Sequence, residues 1–141
     1  MSLKKELVDE IIKVTSMAAI SCHKFIGKND KVNADKAATD TMRNEINKLK
    51  FNGKVVIGEG ELDEAPMLFI GEKLGLGGDL EIDIAVDPVE GTNFVAKNLP
   101  GALSVISLFK ESAKFLIFFS KEKSKSVASC GTFFETASLF I

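Results

Sequence analysis

The chain has 141 residues and a formal net charge of −2, with 45% hydrophobic and 27% charged residues. This length suits one modest domain with a core, and it excludes a two-domain enzyme. The composition contains neither the basic stripe that is typical of nucleic-acid binding nor an apolar run of about 18 residues that would predict a membrane span.

Two amphipathic helices are predicted at the start of the chain. The first, over residues 3–24, is indicated by apolar residues that recur every three or four positions, namely Leu3, Leu7, Ile11, Val14 and Ala18. The second, over residues 35–50, is indicated in the same way by Ala38, Met42, Ile46 and Leu49. Either Asn33 or Asp35 is expected to cap this second helix.

Strands are predicted for three later segments. Val55–Ile57 is a short β-branched run that ends at Gly58. Residues 82–87 alternate apolar and other side chains up to Asp87, and residues 102–109 form a third apolar segment. Pro66 favours a short helix over residues 65–74 between the first two strands. Residues 115–119 are expected to form a further strand, as a hairpin partner of residues 102–109.

The first predicted strand is followed by an acidic, glycine-containing loop. Its carboxylates are Glu59, Glu61, Asp63 and Glu64. These groups repel one another as bare anions, and a divalent cation removes that cost. Carboxylate oxygens are suitable ligands for Mg²⁺ or Mn²⁺. The composition alone fits a simply solvated acidic loop equally well.

A second acidic cluster follows the next strand and reads Asp-Pro-Val-Glu-Gly-Thr over residues 87–92. Pro88 fixes the backbone directly after the strand, so Asp87 and Glu90 are expected to converge. If residues 92–97 begin a short helix, the N–H groups of Gly91 and Thr92 point at an anion. The hexapeptide thus predicts two metal ligands and a phosphate contact, with a plain Pro-Gly turn as the alternative.

The remaining reactive side chains favour ordinary structural roles. Cys22 and Cys130 match no metal or redox spacing, which predicts reduced thiols in a cytoplasmic protein. The single histidine, His23, lies near the end of the first helix, where it would interact with the helix dipole. Lys31 and Arg43 lie beside helices and are expected to be solvated.

These motifs resemble those of class II fructose-1,6-bisphosphatases, a family of lithium-sensitive, metal-dependent sugar phosphatases. The resemblance covers residues 5–108, and it rests on residues 55–68, 70–73 and 83–92. The earlier pattern at residues 27, 30–31, 34–35 and 42–43 continues it. It implies that the metal ligands are Asp35, Glu59, Asp87 and Glu90. It also implies that Asp63 and Thr92 are the catalytic pair that deprotonates the attacking water, and that Glu90, Gly91 and Thr92 contact the substrate phosphate.

The resemblance further implies an α/β layered sandwich, of which this chain would be the N-terminal lobe, with two helices packed on a mixed sheet. The implied reaction is Mn²⁺- or Mg²⁺-dependent hydrolysis of the 1-phosphate of fructose 1,6-bisphosphate, giving fructose 6-phosphate for gluconeogenesis. The implied partner is a small sugar bisphosphate, with neither nucleic acid nor membrane involved. The full-length form is expected to be a homo-oligomer.

The end of the chain departs from the family. Residues 1–116 are expected to form the metal- and phosphate-binding lobe, and residues 117–141 an anomalous tail that is read out of frame or belongs to a decayed gene. The chain would then be truncated and inactive as an enzyme. Two alternatives stay open: a non-catalytic remnant that binds only divalent metal or phosphate, and an inositol-monophosphatase-like enzyme, which residues 93–95 locally favour.

Overall fold

The computed structural model describes residues 5–59, 67–109 and 135–140, the last of these as backbone only. The helices are α1 (Lys5–Cys22), α2 (Lys31–Ile46) and α3 (Thr92–Ala96), and a 3₁₀ turn (His23–Phe25) follows α1. The strands are β1 (Asn52–Ile57), β2 (Lys73–Leu74), β3 (Glu81–Glu90), β4 (Leu103–Phe109) and β5 (Glu135–Phe140). No helix within these ranges is long and apolar enough to cross a membrane.

The predicted helical stripes are the faces that α1 and α2 bury. Ile11, Val14 and Ala18 of α1 are buried, as are Ala38 and Met42 of α2. The two helices pack against each other and against the sheet, and their buried side chains form one core with those of the strands. Burial of each large aliphatic side chain contributes about 1.5–3 kcal/mol, so these stripes are a main source of stability.

Helix α2 begins earlier than predicted. Asp30 is the N-cap, and its Oδ1 accepts a hydrogen bond from the backbone N–H of Asn33 at 3.1 Å. The prediction that Asn33 or Asp35 caps the helix is therefore wrong. The reason is that Asp30 stands three residues before Asn33, the spacing at which a capping carboxylate reaches a free N–H of the first turn. Asp35 lies inside the helix instead.

The sheet has the strand order β2-β1-β3-β4-β5. Strands β1 and β3 are parallel, whereas the pairs β1–β2, β3–β4 and β4–β5 are antiparallel. Along β3 and β4 every second side chain is buried, including Ile82, Ile84, Ile106 and Leu108, in the core shared with the helices. The predicted α/β class, with two helices packed on a mixed sheet, is confirmed.

One predicted element, the helix over residues 65–74, is wrong. Residues 67–72 form turns and not a helix, because Leu68 and Gly71 both adopt positive φ, 55° and 96°, which interrupts helical hydrogen bonding. Strand β4 is paired with β3 on one edge and with β5 on the other. The strand predicted over residues 115–119 stays a prediction. That segment itself lies outside the described residues, as do residues 65 and 66.

Candidate metal and phosphate site

The two acidic clusters lie at one edge of the sheet. Glu59 follows the end of β1, and Asp87 lies near the end of β3. Because β1 and β3 are parallel neighbours, their carboxyl ends lie side by side. This is the edge at which α/β proteins place ligands. The parallel pairing thus explains how residues 28 positions apart in sequence (87 minus 59) reach one region.

A β-bulge brings Asp87 and Glu90 to the same face of the sheet. Asp87 pairs with Val105 and Glu90 with Leu103, so three steps along β3 match two along β4. Residues three apart on a regular strand point to opposite faces, and the extra residue of the bulge reverses this. Pro88, which has no N–H to donate, is buried at the bulge. The predicted convergence is present, but it occurs inside a strand that extends to Glu90.

The pKa of Asp87 is raised to about 7. Burial is the largest cause, followed by a hydrogen bond with the side chain of Glu90 and by the negative charges of Glu59, Glu90 and Asp35. Burial also raises the pKa of Asp35, which projects from α2. Asp87 is therefore under the electrostatic influence of the other three carboxylates that the resemblance implied as metal ligands.

The chemistry of this donor set fits a hard divalent cation. Asp87, Glu90, Asp35 and Glu59 offer only carboxylate oxygens, the ligands that Mg²⁺ and Mn²⁺ prefer. Among the described residues, no three Asp, Glu, His or Cys side chains lie close enough together to hold one metal ion as they are placed. Glu61, Asp63 and Glu64 lie outside the described residues.

Gly91 and Thr92 form the corner between β3 and α3. Gly91 has φ +87°, and a Cβ there would lie 2.8 Å from Cδ2 of Phe94, so the position requires glycine. The carbonyl of Gly91 accepts a hydrogen bond from Phe94 N at 2.8 Å, and Thr92 begins α3 as predicted. Thr92 is half-buried. Glu90 is thus followed directly by Gly91, which has no side chain, and then by the hydroxyl of Thr92.

Helix α3 is attached to the segment that leads into α2. Gly27 N donates to the carbonyl of Val95 at 3.0 Å, and Asn29 N donates to that of Ala96 at 2.8 Å. Asp30, the cap of α2, follows directly in the sequence. These bonds fix the helix that carries Asp35 relative to the helix that begins with Thr92.

One side chain connected to the site, Glu72, is not predicted from the sequence. Arg43, which was expected to be solvated, donates from Nε to Oε1 of Glu72 at 2.5 Å. The other carboxylate oxygen accepts from the backbone N–H of Leu68. The available clue was that Glu72 belongs to residues 70–73, one of the segments that carry the family resemblance, although no role was given to it.

Two other residues singled out in the sequence lie at the end of α1 and directly after it. Cys22 is a buried free thiol within hydrogen-bonding distance of the carbonyl oxygens of Ala18 and Ala34, and burial is the main cause of its raised pKa. His23 lies exposed in the 3₁₀ turn after α1 rather than at the end of the helix itself. Cys130 lies outside the described residues.

The fold and the carboxylate cluster together define an α/β protein with a candidate metal site. An extragenic suppressor from Pyrococcus furiosus has a similar fold, with a TM-score of 0.50 and 20% sequence identity over 75% of this chain and 41% of that one. Residues 5–117 match the family described as bacterial fructose-1,6-bisphosphatase, glpX-encoded, and the chain belongs to this family. The family is one of metal-dependent phosphatases.

Two curated relatives illustrate the extent of the similarity. The D-fructose 1,6-bisphosphatase class 2/sedoheptulose 1,7-bisphosphatase of Thermosynechococcus vestitus is 43% identical over 136 residues, which cover 86% of this chain and 39% of that protein. The fructose-1,6-bisphosphatase 1 class 2 of Escherichia coli is 47% identical over 106 residues, 75% of this chain and 32% of that protein. The chain therefore matches 32–39% of the length of these relatives.

Proposed function

We propose that this chain carries the metal- and phosphate-binding lobe of a class II fructose-1,6-bisphosphatase. The reaction of the whole enzyme would be hydrolysis of the 1-phosphate of fructose 1,6-bisphosphate, giving fructose 6-phosphate and phosphate in gluconeogenesis. The observation that carries the proposal is the electrostatic convergence of Asp35, Glu59 and Glu90 on Asp87. Such a concentration of carboxylates in a partly buried place is stable only with protons or cations to balance it.

In this proposal Asp35, Glu59, Asp87 and Glu90 hold Mn²⁺ or Mg²⁺. A divalent cation supplies Lewis acidity toward phosphoryl oxygens and lowers the pKa of water bound to it. The protein contributes the positions of the four carboxylates. They come from the second helix, from the end of β1 and from the bulge of β3, three elements that pack on one core.

Glu90, Gly91 and Thr92 would contact the substrate phosphate. The missing side chain at Gly91 lets a phosphate oxygen approach the backbone, and the Thr92 hydroxyl can donate to it. Asp63 would act with Thr92 as the catalytic pair, accepting the proton of the attacking water, as the family resemblance implies. Because phosphoryl transfer depends mainly on positioning and charge stabilisation, this division of roles suits the reaction.

The domain division belongs to the same proposal. Residues 1–116 form the lobe, and residues 117–141 are a tail read out of frame, whereas the full-length form is a cytoplasmic homo-oligomer. Sequencing the locus tests this. We expect an open reading frame in another phase downstream of residue 116 that restores the remainder of the family sequence, and the absence of such a frame would contradict the out-of-frame interpretation.

Calorimetric titration of the chain with Mn²⁺ tests the metal site. We expect Asp87→Asn to weaken Mn²⁺ binding strongly, because Asp87 is proposed to bind the metal directly. Loss of a residue that only hydrogen-bonds to a metal ligand typically weakens binding roughly 10- to 100-fold, and the loss in Asp87→Asn should be larger. Asp79→Asn is the matched control, because it makes the same change at an exposed position near the opposite end of β3. Equal affinity in the parent chain and in Asp87→Asn would contradict the proposed site.

Phosphate release from fructose 1,6-bisphosphate in the presence of Mn²⁺ tests the activity. We expect turnover by a full-length form and little or none by the 141-residue chain, which would act only as a remnant that binds metal. Robust turnover by this chain would refute that expectation. A full-length form that prefers an inositol phosphate would support the inositol-phosphatase alternative instead.

A further inference from the structure

Glu72 is a buried carboxylate that joins two separate parts of the molecule. Only 5% of the residue is exposed. Oε1 accepts from Nε of Arg43 on α2, and Oε2 accepts from the backbone N–H of Leu68, four residues earlier in the chain. Both carboxylate oxygens therefore have charge-assisted or backbone partners, as a buried anion requires.

Leu68, the residue that Glu72 holds, has an unfavourable backbone conformation. Its φ of +55° lies in the left-handed region that side chains other than those of Gly and Asn rarely adopt. Its side chain is fully buried in the core. Such a conformation persists only where the surroundings fix it, and residues of this kind concentrate at functional sites. Glu72 supplies one of the contacts that fix it.

The same residue, Leu68, holds the backbone of Glu59. The carbonyl of Leu68 accepts a hydrogen bond from Glu59 N at 3.0 Å. It also passes so close to Gly58 that a Cβ there would lie 1.9 Å from its oxygen. Leu68 thus connects Glu72 to Glu59. The Glu72 carboxylate accepts from the N–H of Leu68, and the carbonyl of Leu68 accepts from the N–H of Glu59.

Glu72 is itself fixed to the strand that leads to Glu59. Val55 N donates to the carbonyl of Glu72 at 2.9 Å, and Gly71 N donates to the carbonyl of Val55 at 2.8 Å. The backbone of Glu72 is therefore hydrogen-bonded to β1, and its side chain is paired with Arg43 on α2. Its second carboxylate oxygen binds Leu68, which in turn binds Glu59.

We infer that Glu72 and Arg43 form a positioning pair that orients Glu59 toward the metal site through Leu68, an inference that rests on the proposed function. The alternative is an ion pair that contributes only to the stability of the fold. The two differ in what the loss of Glu72 changes. A positioning pair controls the backbone at Glu59 and the metal affinity, whereas a purely structural pair changes only the melting temperature.

Glu72→Gln tests the inference, because the amide keeps the size of the side chain but cannot accept with both of its terminal atoms. Glu45→Gln is the matched control. Glu45, in the last turn of α2, is also buried, 9% exposed, and it accepts from Lys48, which follows the end of the helix. Arg43→Lys is a milder second variant, since the Arg43 side chain is 37% exposed and the charge is retained.

Two readouts are measured below the melting temperature of every variant. Loss of the free Mn²⁺ electron paramagnetic resonance signal gives the metal affinity, and we expect Glu72→Gln to weaken it roughly 10- to 100-fold. Hydrogen exchange at the Glu59 amide should become at least about tenfold faster in the same variant. The reason is that the Leu68 carbonyl, which accepts from this amide, is no longer held in place by the Glu72 carboxylate. Arg43→Lys should move both readouts in the same direction by less, and Glu45→Gln should move neither.

Unchanged exchange at Glu59 in Glu72→Gln, with parent-like Mn²⁺ affinity, would overturn the inference even if the melting temperature fell. If Glu72→Gln does not fold, the same comparison between Arg43→Lys and Glu45→Gln decides. If the parent chain binds no Mn²⁺, the proposed metal site fails. The exchange rate at Glu59 then decides alone whether Glu72 orients that residue, and an unchanged rate would overturn the inference.

Discussion

The two ends of the sheet balance their polar groups in different ways. At the start of β1 and β3, the Asn52 amide donates to the carbonyl of Gly78 at 2.7 Å and to the carboxylate of Glu81 at 2.8 Å. Asn47 Oδ1 nearby accepts from Gly75 N at 2.9 Å. At the opposite end, Asp87 faces three further carboxylates. The described groups at the amino end pair with one another, whereas the carboxyl end brings acidic side chains into the region where a cation is proposed to bind.

This difference separates stability from ligand binding along one pair of strands. Complementary polar groups at the amino end fasten the turns that connect the strands. At the carboxyl end, burial and the neighbouring carboxylates raise the pKa of Asp87, as is common where a site is arranged for a ligand rather than for packing. Substitutions at the two ends should therefore affect stability and Mn²⁺ affinity in different proportions.

Gly91→Ala should have the largest effect on stability. The new Cβ would meet Phe94 at 2.8 Å in a backbone with φ +87°, and we expect a loss of about 2–3 kcal/mol. Gly77→Ala is the control at the amino end, where φ is +89° and the nearest atom would be 3.6 Å away. There only the backbone strain remains, about 1 kcal/mol. Urea denaturation measures both, and equal losses would contradict the steric argument.

The pH dependence of the metal-free chain should show the next largest effect. The pKa of Asp87 is raised from 3.8 to about 7. Between these values the folded state binds more protons than the unfolded state, so stability is highest at low pH and falls as the pH rises toward 7. Each pKa unit is worth about 1.4 kcal/mol and solvent screens part of it, so we expect a loss of about 2 kcal/mol.

Urea denaturation in EDTA at about pH 5 and about pH 7.5 measures this loss. Asp87→Asn should flatten the dependence, although the raised pKa of Asp35 contributes with the same sign. Added Mn²⁺ should restore stability at the higher pH, because a ligand that binds only the folded state stabilises it. A metal-free chain that becomes more stable between these two pH values would contradict the carboxylate arrangement.

Asn52→Ala should have the smallest effect. It removes two hydrogen bonds at an exposed position, for which we expect a loss of about 0.5–1.5 kcal/mol. Because the change lies at the amino end, Mn²⁺ affinity measured by calorimetry should remain that of the parent chain. A weaker affinity in this variant would show that the two ends are coupled, and it would remove the contrast between them.

The periodic elements could be predicted from the sequence, because their patterns record burial directly. Helices α1 and α2 and strands β1, β3 and β4 all follow from apolar spacing. The predicted helix over residues 65–74 failed because Leu68 is held in a left-handed turn by Glu72, which in turn is held by Arg43, 29 residues away in sequence. Periodicity within a window contains no information about such a distant partner.

The acidic site could be predicted in part. Asp35, Glu59, Asp87 and Glu90 were named from motif and resemblance, and they influence one another in the structure. The β-bulge that brings Asp87 and Glu90 together could not be predicted from the sequence, because it depends on how β3 is paired with β4. The role of Glu72 was missed for a similar reason, because its partners come from α2 and from a turn.

Because of the bulge at Pro88, the site depends on the number of residues between Asp87 and Glu90 as well as on their chemistry. A strand assigns its side chains to alternate faces, so whether two acids cooperate depends on whether the number of steps between them is odd or even. Here one extra residue turns an odd separation into an effectively even one. A variant could therefore keep every acidic residue and still separate Asp87 from Glu90 by the loss of a single neutral neighbour. At this point in the chain, the length between the two acids matters as much as their identity.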